Sequence, residues 1–117
     1  MSILCQIMSE YECPLRCSIT GESTFIFNRF CSPDSKLEDI STCKTTEENG
    51  CYSMTIDYVK KSGEEGKLVK HGCYSTFTRR FGIGLPKLDK CEFYELNIFG
   101  TYYTADICRC SYDGCPI

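Results

Sequence analysis

An all-β, disulfide-rich fold is the reading this chain invites, on three observations. Eleven cysteines fall within 117 residues, at positions 5, 13, 17, 31, 43, 51, 73, 91, 108, 110 and 115. Short runs of β-branched and aromatic residues alternate with clusters of Gly, Pro, Ser and Asp. Nowhere does apolar spacing keep a helical period over several turns. Cysteine at this density marks a disulfide scaffold, and thiols pair stably in an oxidising, extracellular compartment. The expected localisation is therefore secreted or cell-surface.

The elements follow in order. Ser23 to Phe30 is aromatic and β-branched, bounded by Gly21 and by Ser32-Pro33-Asp34, and reads as a β-rich run. Leu37–Thr42 resists a strand assignment. Cys51 to Val59 alternates Met54, Ile56 and Tyr58 with Thr55, Asp57 and Val59, the two-residue period of a half-buried strand. The glycine-containing turn from Lys60 to Lys67 leads to Leu68–Cys73, which makes a hairpin. Arg79–Leu88 holds Gly82, Gly84 and Pro86 and reads as a loop. Glu92–Asn97 and Thr101–Ile107 form a further hairpin, hinged near 97–100.

Composition narrows function. Net charge is −3 and no basic run exceeds the pairs Lys60-Lys61 and Arg79-Arg80, so nucleic acid is not an expected partner. No stretch approaches the ~18 apolar residues of a membrane span. The Met1-Ser2-Ile3-Leu4-Cys5 start lacks the basic opening of a secretory leader and reads as a mature sequence behind an added initiator Met. Asn28, Asn49 and Asn97 all fail the glycosylation sequon. Cys108-x-Cys110-x4-Cys115 does not match zinc-ligand spacing, so no metal is expected. His71 is the single histidine, and it precedes Gly72-Cys73 on an expected strand. A solvated strand residue is its plain reading, against a general base in a disulfide-rich hydrolase.

Cysteine order then carries a resemblance. Cys51-Tyr52-Ser53-Met54-Thr55, closing on Val69-Lys70-His71-Gly72-Cys73, resembles the middle finger of the three-finger superfamily. This group holds the lymphocyte-antigen-6 and urokinase-receptor domains, snake neurotoxins, and the ectodomains of activin and TGF-β receptors. Cys108-Arg109-Cys110-Ser111-Tyr112-Asp113-Gly114-Cys115 resembles its closing signature. The likeness implies a three-finger domain over residues 13–117 behind an N-terminal tail of 1–12, with three hairpins rising from a cysteine knot-like hub. It implies the pairs Cys13–Cys51, Cys17–Cys31, Cys43–Cys73, Cys91–Cys108 and Cys110–Cys115. Cys108 and Cys110 would then share a strand face, with Arg109 bending or bulging the chain between them. Pro116 stands where the family usually has Asn, Cys13 and Cys17 are one residue wider apart than usual, and Arg109 separates cysteines that are usually adjacent.

What the resemblance implies for function is an extracellular protein-binding module, a secreted or membrane-anchored modulator of a receptor, growth factor or ion channel. A second reading is the ligand-binding ectodomain, or a soluble trap, of an activin/TGF-β-type receptor. A third is the hydrolase, which His71→Ala would inactivate. No catalytic residue and no cofactor is expected, and a membrane is met only through an anchor. Expected partner contacts are Tyr58, Lys60, Lys61, Glu64 and Glu65 on the middle finger, and Phe99, Tyr102 and Tyr103 on the third. The aromatics of the third finger either face a partner or cover the 74–90 loop, and both remain open. So does Arg79-Arg80-Phe81, as a cation-and-ring contact or a solvated loop. Cys5 is left as a free thiol or a link between two copies.

Overall fold

The structure is a computed structural model and describes residues 10–31 and 41–111. Cys5, Cys115, Pro116 and the Ser32-Pro33-Asp34 turn lie outside the described residues. Six antiparallel strands make one sheet: β1 (Glu10–Thr20), β2 (Ser41–Thr46), β3 (Cys51–Val59), β4 (Glu65–Cys73), β5 (Lys90–Ile98) and β6 (Thr101–Cys110), in the spatial order β2-β1-β4-β3-β6-β5. This is a small, all-β, disulfide-rich fold. β1 pairs with β2 through residues 10–15 and with β4 through 16–20, so its two halves serve two neighbours.

Alternation decides the faces. Met54, Ile56, Tyr58, Leu68, Tyr103, Ala105 and Ile107 point to one side and are buried. Val59, Tyr102 and Phe93 point to the other and are exposed. On β1, Tyr11, Cys13, Leu15, Cys17 and Ile19 are buried or half-buried between exposed polar neighbours and Pro14. This period-two pattern becomes visible once cysteine is counted as apolar. The strand begins at Glu10, so residues 10–12 of the expected tail are paired with Lys44–Thr46.

Ser41 and Thr42 belong to β2, where no strand was expected, and two further elements differ from expectation. Ser23–Phe30 is no strand: residues Phe25–Phe30 form a short helix, α1. Thr24 caps it, its hydroxyl accepting from the Phe27 amide at 3.3 Å. Six residues cannot hold a helix in water alone. Burial of Ile26, Phe27 and Phe30 on the sheet, together with the Cys17–Cys31 disulfide, stabilises it. Packing of those rings overrides their β propensity. The second difference is β6, which keeps one continuous register with both β3 and β5 through Arg109. No bulge is needed, because Cys108 and Cys110 use the same face of a regular strand.

Over the buried face lie α1 and the 74–90 connection, whose Ile83 is buried with the core. Among the described residues four disulfides close the fold: Cys13–Cys51, Cys17–Cys31, Cys43–Cys73 and Cys91–Cys108. Cys110 is also disulfide-bonded. Its expected partner, Cys115, lies outside the described residues.

Tyr58 is central to the packing. Its ring lies 5.3 Å from Phe27 and 6.0 Å from Tyr103, and its hydroxyl donates to the Glu22 carbonyl at 2.8 Å. The ring presses on Gly66 of β4, where a Cβ would come within 2.3 Å of it. Gly66→Ala is therefore expected to destabilise by about 1–3 kcal/mol through overpacking, read as a lower urea midpoint at unchanged m-value.

Candidate functional site

The sheet face turned away from α1 exposes Val59, Phe93 and Tyr102 towards the ends of its hairpins. The β3–β4 hairpin ends in the loop 60–64 and the β5–β6 hairpin in Phe99-Gly100. The two ends are neighbours: a Cβ on Gly100 would lie 3.2 Å from the Lys61 side chain. On the outer face Val59 stands directly opposite Tyr102, and Phe93 stands two rungs further along β5. Between them Glu95 accepts a hydrogen bond from the Tyr102 hydroxyl at 2.5 Å, which pushes that phenol's pKa up. Asp57 and Asp106 share this face.

Six of the eight expected contact residues reach the surface here. Lys61, Glu64, Glu65, Phe99 and Tyr102 are exposed. Lys60 is half-buried and sits 3.3 Å from both Glu22 and Glu64, hydrogen bonds to which raise its pKa. Tyr58 and Tyr103 are corrections: at 1% and 3% exposure they belong to the core. Their neighbours Val59 and Tyr102 take the outward places, because strand side chains alternate. Phe93 and Val59 were not chosen from sequence. Parity relative to the buried Met54–Ile56–Tyr58 row would have found Val59.

The rings of the β5–β6 hairpin divide between the two expected roles. Tyr94 turns inward, donates to Glu92 at 2.6 Å and accepts from the Gly84 amide at 3.4 Å, and so braces the 74–90 connection. Phe93, Tyr102 and Phe99 turn outward.

Phe99 is the most unusual of them. The Ile98–Thr101 pair closes a two-residue loop in which Phe99 and Gly100 have φ of 52° and 83°. Positive φ at both central positions marks a type I′ turn, whose first residue is ordinarily Asn, Asp or Gly. Phe99 is also 95% exposed. The same Phe-Gly turn recurs at Phe81-Gly82, with φ of 53° and 80°, between the bridged residues Arg80 and Ile83. There the ring rests 6.0 Å from Phe25 and 6.2 Å from Phe30. Contact within the chain offsets the strain at Phe81. At Phe99 no ring contact does so among the described residues.

His71 is half-buried on β4, opposite Arg16 of β1 and Ser53 of β3. Burial, then the Arg16 charge, lower its pKa below 6.5. Among the described residues no carboxylate lies within hydrogen-bond distance of it, and no group of three or more His, Cys, Asp or Glu side chains could hold a metal. No helix is long and apolar enough to cross a membrane. No protein-family model, curated protein or solved structure matches the chain.

The His71 shift has a pH consequence. The imidazole binds its proton less readily in the fold than in the unfolded chain, so its contribution is complete above pH ~6.5. That contribution is lost as pH falls through the folded value. Urea midpoints are expected to drop between pH 7.5 and pH 5, by less in His71→Gln.

Proposed function

We propose that this chain is an extracellular protein-binding module of three-finger type, and that it grips its partner through the outer sheet face and the tip of the β5–β6 hairpin. Support for the three-finger reading comes from the hairpins β3–β4 and β5–β6. Each begins and ends beside paired cysteines, Cys51 and Cys73 in one and Cys91 and Cys108 in the other. The disulfides support an oxidising environment outside the cell.

One observation carries the binding reading: Phe99. A bulky residue in the left-handed region costs about 1–3 kcal/mol, and an exposed ring returns none of it. Strain without compensation inside the chain points to compensation outside it. Aromatic side chains are the usual anchors of protein interfaces, at the centre of a desolvated patch. Val59 and Tyr102, directly opposed on the adjoining strands, extend the apolar surface from that anchor. Asp106 and Glu95 are acidic neighbours of this surface, and Asp57 is paired there with Lys67 at 3.9 Å.

The test is Phe99→Asn. Asn-Gly is the relaxed sequence for this turn, so the variant is expected to fold with equal or greater stability, by up to about 1 kcal/mol. It is also expected to lose the extracellular protein that the immobilised native domain captures. Arg29→Gln, on α1 across the sheet, is expected to keep it. If Phe99→Asn retains the captured protein at native affinity, the tip is not the anchor.

A further inference from the structure

The side of the molecule away from that surface holds a second, differently built site. Residues 74–90 carry Arg79, Arg80, Lys87 and Lys90 against a single acid, Asp89, in a chain of net charge −3. An open groove of about 440 Å³ runs beside this connection, lined by Tyr74, Phe77, Arg79, Gly84, Leu85 and Arg109. That volume lies in the range of small-molecule sites.

Arg109 is held rigidly. Its Nε donates to the Asn49 carbonyl at 2.8 Å, Nη1 to Pro86 at 3.2 Å and Nη2 to Glu48 at 3.3 Å. The guanidinium also stacks on Tyr74 at 4.4 Å. Three of its five N–H donors are thereby used, and one on each terminal nitrogen is left. Carbonyls orient the cation and leave its charge unneutralised. Arg79 is exposed and makes no hydrogen bond among the described residues. No carboxylate lies within ion-pair distance of either arginine among those residues. Glu92, the acid near the groove, is engaged by the Tyr94 hydroxyl.

We infer that this groove binds an anionic sugar of the extracellular matrix, one sulfate or carboxylate lying between Arg79 and Arg109 and the ring against Tyr74 and Phe77. A guanidinium fork matches the paired oxygens of either anion. Arg109 is already ordered, so little side-chain entropy is lost on binding. The aromatic and Leu85 walls favour a sugar ring's C–H face over the polar backbone of an acidic peptide. The inference rests on the extracellular placement proposed above and is independent of Phe99.

The experiment is an amide-resolved NMR titration with a sulfated, uronate-containing disaccharide at 150 mM salt. Saturable shifts are expected at Tyr74, Phe77, Gly84 and Leu85. Arg79→Gln, which removes no internal hydrogen bond or ion pair among the described residues, is expected to weaken binding at least tenfold, and Ser75→Glu, which adds a carboxylate at the groove wall, to abolish it. Phe99→Asn is expected to bind as the native chain does. Absent or non-saturating shifts, shifts that map elsewhere, or an unaffected Arg79→Gln would overturn the assignment. So would an acidic hexapeptide that saturates the same amides where the disaccharide does not. Loss of protein capture by Phe99→Asn with no sugar binding would leave the first surface standing and remove the second.

Discussion

Two sulfur bridges set the frame on which the other parts depend. Cys13 and Cys43 are register partners on β1 and β2, and Cys51 and Cys73 are register partners on β3 and β4. Cys13–Cys51 and Cys43–Cys73 therefore bolt one strand pair to the other at matched rungs. Cys13, Cys51 and Cys73 are buried together, apart from the main core. A slip of one residue in either pair would send the sulfurs to opposite faces. In the chain-entropy model, closing loops of these lengths contributes about 3–4 kcal/mol per bridge. With the base held in this way, the far ends of the two hairpins β3–β4 and β5–β6 carry no disulfide.

That division of labour explains where the sheet keeps its apolar side chains. Phe27, Tyr58 and Tyr103 form a ring cluster under α1. Tyr52 is packed edge-on to Phe77, and burial pushes its phenol's pKa up to about 12, with Thr76 drawing it partly back. Lys70 belongs to this layer too. Its ammonium donates to the Phe30 carbonyl at 2.7 Å and so closes the end of α1, while burial and then Arg80 lower its pKa. The covered face thus holds the buried rings, and Phe93, Phe99 and Tyr102 lie outside that core.

Strands with clean alternation were legible in the sequence. β3 shows its buried row in Met54, Ile56 and Tyr58, and the hairpin β5–β6 shows itself in paired aromatics around a glycine turn. β1 was harder, since Cys13 and Cys17 read as staples instead of as apolar positions of an alternating row. Helix α1 was misread because Phe and Ile favour strands when nothing else intervenes. Ile26, Phe27 and Phe30 nonetheless hold the one-turn spacing of a helix face. At the candidate surface, residue type drew attention to the correct hairpin, but parity separates Tyr102 from Tyr103 and Val59 from Tyr58. The left-handed backbone of Phe99 follows from loop length, which depends on strand register and is settled by cross-strand pairing.

Arg109 has one more consequence. A single residue between two cysteines keeps both sulfurs on one side of β6 and sends the intervening side chain to the other, where it gathers the carbonyls of Glu48, Asn49 and Pro86. Excision of that residue would do more than shorten a strand. It would swing one thiol through the sheet, strand it away from its mate, and leave two surface turns without the spoke that ties them to the hub.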